Sequence, residues 1–279
     1  MKYRLIVFLS VLIIAFLSIL PVQACSSFAL YSNVIVYGAN FDFDFNPDLM
    51  FAFEGDIKDI RFLTLRFHFN ANGYYAHMCG MNNKGLFATV QMVPGKSVTP
   101  VPGEQTITTY DLLLSSLKHA ETIDQVKQIL GDKRLVHIPT ADLHCMFADR
   151  YGHVLVVEVG TKKNHVYENK DNHFVMTNFN FSDNEGKPEE SISGFGADRY
   201  RTGLAELHAH MNNFNSDIAM QTMAKMSQPV TLSSMVFLPE KNHVYIALSG
   251  SSNSNNKFGA ALIAKAAPII KPSSVVEFR

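Results

Sequence analysis

The pattern of apolar and polar residues after residue 24 predicts short strands interrupted by two groups of helices. Apolar residues run or alternate over segments of strand length, and turn-prone residues separate the first two segments and the last two. The first two therefore form a hairpin across Ser32 and Asn33, and the last two form another across residues 239–242. The predicted strands are 27–31, 34–37, 60–69, 86–93, 143–147, 154–159, 174–177, 235–238 and 244–248.

Two pairs of helices are predicted between these strands. The first helix covers residues 110–119, and the second begins after Thr122, which has capping-box spacing to Gln125. The second pair covers residues 198–211 and 215–226. Strands, helices, more strands, more helices and a closing hairpin predict an α+β fold with helices packed outside paired sheets. Because no linker, repeat or low-complexity tract is found, residues 25–279 are expected to form a single domain.

Residues 1–24 have a different pattern, which is typical of a signal peptide. Lys2 and Arg4 precede an apolar run over residues 5–20, and Val22 and Ala24 supply small residues at the positions that a signal peptidase reads. No second apolar run of membrane-spanning length follows. We therefore expect an exported protein, periplasmic or secreted, whose mature chain begins at Cys25 and has no membrane segment.

Charge and composition argue against several classes of function. The chain has 24 Lys and Arg against 25 Asp and Glu, without a basic run after the leader, so no nucleic-acid partner is expected. Three cysteines are too few for a disulfide framework, although one bridge would leave one thiol over. His208 and His210 lie two apart in a predicted helix and point to different faces, so no metal site is expected there.

Cys25 directly follows the predicted cleavage site, and the neighbouring residues allow three interpretations. Cleavage would free an α-amino group, whose ordinary pKa near 8 suits it to accept the thiol proton and activate the sulfur. Alternatively, residues 22–25 loosely match a lipobox, in which the cysteine is lipidated and serves only as an anchor. A third alternative is an ordinary buried or disulfide-bonded cysteine.

An ordered set of motifs resembles the choloylglycine hydrolase and penicillin V acylase family. Each motif is weak alone, but together they span nearly all of the chain after residue 24 in the same order. They are CSSF at 25–28, YGANFDF at 37–43, GMNNKGL at 80–86, FADRYG at 147–152 leading into 154–158, MTN at 176–178, DRYR at 198–201 and SMVF at 234–237.

The resemblance implies a four-layer αββα N-terminal-nucleophile hydrolase fold and hydrolysis of the linear amide bond of an N-acylated small molecule, without a cofactor. It places the family's catalytic residues at Cys25, Asp42, Asn178 and Arg199. Arg201 is the alternative for the last of these. A second oxyanion donor falls near Gln91 or Met92; Gln91 has the required amide, whereas Met92 does not.

These residue types suit such chemistry. A side-chain amide such as that of Asn178 can donate to the oxyanion that develops when a thiolate attacks a carbonyl. Asp42 can hold the α-ammonium group, and Arg199 can lower the thiol pKa. Each also has an ordinary structural explanation, because Asp and Asn often close turns and Arg often pairs with an acid on a helix.

One position departs from the family pattern. Ala39 stands where the family usually has an arginine beside the nucleophile, and alanine supplies neither charge nor hydrogen bonds. The second hypothesis is therefore a lipid-anchored, catalytically silent binding protein with the same fold. The sequence does not indicate which acyl group the substrate carries, and it allows a homo-oligomer. Bile-acid conjugates, penicillin V, acyl-homoserine lactones and fatty amides all suit an apolar pocket.

Overall fold

A computed structural model shows two large antiparallel sheets packed face to face. It describes residues 25–43, 49–55, 60–69, 74–96, 101–138, 141–169, 171–248, 267–268 and 276–277, so the predicted signal peptide lies outside the described residues. The strands of the first sheet are β1 (Ser26–Tyr31), β2 (Ile35–Asp42), β12 (His173–Met176), β13 (Thr231–Leu238), β14 (His243–Leu248) and β15 (Ala267–Pro268).

The second sheet has eight strands. They are β3 (Leu49–Gly55), β4 (Arg61–Phe69), β5 (Tyr74–Asn82), β6 (Phe87–Met92), β9 (Leu143–Ala148), β10 (Val154–Glu158), β11 (His165–Asn169) and β16 (Val276–Glu277). The first sheet has the order β12-β1-β2-β13-β14-β15, and the second β11-β10-β9-β6-β5-β4-β3-β16. A small parallel pair joins β7 (Thr106–Thr108) to β8 (Arg134–Val136).

Helices cover the outer face of each sheet. They are α1 (Thr109–His119), α2 (Ile123–Leu130), α3 (Ala197–His210) and α4 (Ser216–Lys225). The side chain of Asn82 at the end of β5 donates to the carbonyls of Leu117 and Ala120, which ties α1 to the second sheet. Asn40 on β2 donates to the Met223 carbonyl, which ties α4 to the first sheet. The layers therefore run α, β, β, α, as the resemblance implied.

Two apolar cores hold these layers together. Between the sheets, Phe87 stacks on Tyr37 with ring centroids 5.3 Å apart and contacts Phe237 at 5.2 Å. Between the first sheet and helices α3 and α4, residues such as Phe28 and Leu207 form the second core. Since β1 and β2 contribute side chains to both cores, the position of the first hairpin is set from both faces.

The local predictions hold best where a cap or turn was visible in the sequence. The capping box at Thr122 is formed, with Thr122 and Gln125 bonding each other's backbone N–H. Gly85 lies in the turn before β6 with a φ of +84°, which glycine adopts without strain. Among the described residues, no helix is long and apolar enough to cross a membrane.

Candidate active site

Cys25 lies immediately before β1 and packs into the core between the two sheets. Its side chain is only 6% exposed, and its thiol is free. Burial raises the pKa of this thiol to about 12, and the carboxylate of Asp42 acts in the same direction. The backbone N–H of Asp42 and the guanidinium of Arg199 oppose this rise. The sulfur is therefore protonated at neutral pH and needs a base before it can attack a carbonyl.

Arg199 joins the start of β1 to the segment that follows β12. Its Nη1 donates to the carbonyl of Cys25 and to Ser26 Oγ, each at 2.6 Å, while Nη2 donates to Asn178 Oδ1 at 2.8 Å. The Phe195 ring, 42% exposed, lies 5.8 Å from the guanidinium carbon. One buried cation thus sets the distance between the proposed nucleophile and the proposed oxyanion donor.

The backbone before α3 leaves room for this guanidinium. Gly196 has a φ of +84°, and a Cβ at that position would lie 2.5 Å from Arg199 Nη2. Arg201, the alternative from the sequence, instead donates to the Ile192 carbonyl at 3.0 Å. The structure therefore brings Arg199, and not Arg201, to Cys25.

Asn178 is buried beside Cys25, and both ends of its amide are used. Oδ1 accepts from Arg199, and Nδ2 donates to the Met92 carbonyl at 2.7 Å. Because an amide nitrogen carries two hydrogens, one N–H remains for a substrate oxygen. The two existing bonds fix the direction in which that hydrogen points.

Asp42 ends β2 and is fully buried. Its Oδ1 accepts from the Thr231 hydroxyl, whereas its Oδ2 has no hydrogen-bond partner among the described residues. Burial raises the pKa of Asp42 to about 7, although Thr231 and Arg199 favour the charged form. A buried carboxylate oxygen without a partner is unfavourable, so this position suits a cationic donor.

Gln91 lies on β6 and faces the start of β1 across the interior. Its Nε2 donates to Ser27 Oγ at 2.8 Å, and its Oε1 has no partner among the described residues. Met92 contributes its backbone carbonyl, which accepts from Asn178. The four proposed catalytic residues and Gln91 thus surround one region, although their roles remain predictions.

Three polar contacts from Arg199, Asp42 and Asn178 to residues outside the predicted site had not been predicted from the sequence. They involve the hydroxyls of Ser26 and Thr231 and the carbonyl of Met92. Ser26 could have been suspected because it follows Cys25 directly. Thr231 lies in a remote strand and Met92 acts through its backbone, so neither carries a local signal.

Ala39 occupies a closed part of the interior. It is 2% exposed and stands in register between Ser27 on β1 and Met235 on β13. Directly paired residues project to the same face, so their side chains flank the Ala39 methyl group. Met235 Sδ in turn lies 3.5 Å from Cys79 Sγ. No acidic side chain is among these neighbours to pair with an arginine at this position.

We expect Ala39→Arg to destabilise the protein and to leave turnover no higher than before. A guanidinium there must displace packed atoms and lose water with no carboxylate among these neighbours to balance its charge, at a cost of about 3 kcal/mol or more. Thermal melting should show Tm lower by roughly 6–12 °C. Ala39→Met, similar in length but uncharged, should lose less. An unchanged Tm with higher turnover would instead mean that the site accommodates the missing charge.

Comparison of the sequence with protein families identifies the family to which most of these residues' segments belong. Residues 25–183 match the linear amide C–N hydrolases of the choloylglycine hydrolase family. A curated relative, the bile salt hydrolase/transferase of Clostridium perfringens (strain 13 / Type A), is 32% identical over 108 residues. That alignment covers 36% of this chain and 32% of the relative, so it spans about a third of the relative's length.

Two solved structures share the fold over most of the chain. A mutant of the conjugated bile acid hydrolase from Clostridium perfringens matches with a TM-score of 0.65 and 17% identity, covering 91% of this chain and 97% of the other. Penicillin V acylase from Agrobacterium tumefaciens matches with a TM-score of 0.61 and 15% identity, covering 82% and 84%. The layered fold is therefore that of N-terminal-nucleophile hydrolases.

Proposed function

Because this chain belongs to the choloylglycine hydrolase family of linear amide C–N hydrolases, we propose that it cleaves an N-acylated small molecule through an acyl-thioester on Cys25. The observation that carries the proposal is the buried guanidinium of Arg199, which binds Cys25, Ser26 and Asn178 together. A nucleophile, a cation and an oriented amide donor are the groups that acyl transfer requires.

The proposed reaction begins after removal of the predicted signal peptide, which makes Cys25 N-terminal. Its α-amino group takes the thiol proton, and the sulfur attacks the amide carbonyl carbon. Asn178 Nδ2 donates to the oxyanion so formed. As the C–N bond breaks, the α-ammonium returns the proton to the leaving amine. Water then attacks the thioester, releases the acid and regenerates the thiol.

Asp42 and Arg199 supply the electrostatic conditions for these steps. The unpartnered Oδ2 of Asp42 can accept from the α-ammonium, which would offset the unfavourable effect of the buried carboxylate on the thiolate. Arg199 provides a positive charge beside the sulfur and lowers the thiol pKa. Both effects are stronger in a buried site than at a surface.

The lipid-anchored hypothesis meets a physical obstacle at Cys25. A lipidated sulfur has to reach a bilayer, whereas this side chain is 6% exposed and packs between two sheets. Ala39 is the observation that favours a catalytically silent protein. Mass spectrometry of the protein purified after export separates the two, because a diacylglyceryl-cysteine is heavier than free cysteine by two acyl chains.

We expect the chain starting at Cys25 to release the amine from at least one linear N-acyl amide. The panel should contain glycine and taurine conjugates of bile acids, penicillin V, N-acyl-homoserine lactones and fatty acid amides. Amine release should be followed by mass spectrometry. A protein with a verified free Cys25 that cleaves no member of the panel would support the silent alternative.

A further inference from the structure

The segment from residue 177 to residue 183, here the Asn178 segment, is held beside β6 by a repeated contact. Asn178 Nδ2 donates to the Met92 carbonyl at 2.7 Å, and Asn180 Nδ2 donates to the Pro94 carbonyl at 2.9 Å. Alternate residues of this segment, Asn178 and Asn180, thus bind the carbonyls of alternate residues in the neighbouring segment. The segment runs in register with the end of β6, so a shift along it would break both bonds.

A buried carboxylate at the end of β10 fixes the other end of this segment. Glu158 Oε1 accepts from the backbone N–H of Phe181 at 2.6 Å, and Oε2 accepts from that of Ser182 at 3.1 Å. His144 Nδ1 on β9 lies 3.3 Å from Oε1, and both side chains are fully buried. Glu158 therefore holds residues three and four positions beyond Asn178.

Glu158 stays ionised in this position. Burial alone would raise the pKa of its carboxyl, but the contact with His144 and the two backbone N–H groups hold that pKa below its ordinary value. Residues 181–183 form a short 3₁₀ turn, and Asn180 before it makes no side-chain cap. The carboxylate of Glu158 supplies the missing acceptor from another strand.

A buried charge is a weak means of stabilising a fold, since apolar residues of similar volume often do as well. Here the Glu158 carboxylate fixes the orientation of the Asn178 segment, because its two backbone donors are consecutive residues of that segment. We propose that Glu158, held by His144, is a positioning residue that aims the Asn178 amide at the reacting carbonyl. This inference rests on the proposed function and adds a residue pair to it.

The test is Glu158→Gln, which keeps the shape and removes the charge. Because an error of about 1 Å in positioning can lower a rate about 100-fold, kcat should fall roughly 10- to 100-fold. KM should change by less than about 3-fold, since the amide acts on charge that develops after binding. Glu168→Gln is the matched control, because Glu168 lies on the neighbouring strand β11 and pairs with Lys127 at the surface. It should leave kcat unchanged.

A double-mutant cycle with Asn178→Ala separates positioning from general support of the fold. If Glu158 acts through Asn178, Glu158→Gln should lower kcat no further once Asn178 is alanine. The inference would be overturned if the fold-losses in kcat of the two single variants multiplied in the double variant, or if Glu158→Gln kept the wild-type kcat. Should Glu158→Gln fail to fold, His144→Gln serves in the same cycle with a smaller loss. Absence of turnover in the unsubstituted protein would instead reject the proposed function, and this role with it.

Discussion

Cys25→Ala should reduce amide hydrolysis to the background rate, a loss of roughly five orders of magnitude or more for a nucleophile that forms the covalent intermediate. The fold should persist, because the change removes one sulfur from the edge of a core that continues through both sheets. A small cavity of this kind costs on the order of 1–2 kcal/mol. The measurements are kcat on the best amide of the panel and Tm.

Cys145→Ala is the matched control for that variant. Cys145 is also a buried free cysteine, but its sulfur faces the Thr109 carbonyl on the helix side of the second sheet. This variant should lose similar stability and keep its activity. Rapid quenching should also trap the acyl group on the protein with Cys25 and not on the alanine variant. Wild-type turnover by Cys25→Ala would show that another group attacks the carbonyl.

The first hairpin shows how much of the fold a local pattern predicts. The predicted strands 27–31 and 34–37 correspond to Ser26–Tyr31 and Ile35–Asp42. The second strand continues through Gly38, Ala39 and Asn40, which have weak strand propensity. They remain in the strand because β13 pairs with them from the other side. A pairing between strands so distant in sequence leaves no periodic signal in either.

Strand β11 was missed for a related reason. In His165–Asn169 only Val166 is a strongly apolar residue, and it is exposed. The segment is an edge strand that bonds to β10 through its backbone, and such a strand needs no apolar stripe. Gly80, the first residue of the GMNNKGL motif, lies inside β5 and not in a turn, and a Cβ at that position would meet the Leu63 carbonyl at 2.3 Å.

The sequence predicted which residues belong to the candidate site, but not the contacts that they make. The resemblance indicated Cys25, Asp42, Asn178 and Arg199, which lie on four separate segments of the chain. Nothing local to Glu158 distinguishes it from any glutamate that ends a buried strand. Its partners belong to residues 181 and 182, and that contact exists only once β10 and β12 have taken their places in different sheets.

One extra residue ahead of Cys25 should abolish turnover without any change to a side chain of the mature protein. If the chain is produced in the cytoplasm with a retained alanine before Cys25, the α-amino group becomes a peptide nitrogen with no basic lone pair. The thiol, whose pKa burial raises to about 12, then has no proton acceptor. The added residue also crowds the approach of the carbonyl.

The position of Asp42 gives a second reason to expect that the extended chain is inactive. Its Oδ2 lacks a partner among the described residues and suits a charged α-ammonium donor, whereas a peptide N–H carries no charge to offset the buried carboxylate. Extension should therefore lower kcat nearly as far as Cys25→Ala does. Circular dichroism should be unchanged, because one terminal residue alters little packing.

Removal of the extra alanine by an aminopeptidase provides the control, since the same protein sample is then measured before and after the α-amino group is freed. Turnover should appear in proportion to the fraction of chains that begin at Cys25, which intact mass spectrometry reports. Equal hydrolysis by the extended and trimmed proteins would mean that Cys25 does not act as an N-terminal nucleophile. Another group would then have to act as the base. Buried His144, whose Nε2 has no partner among the described residues, would be the first candidate to test by substitution.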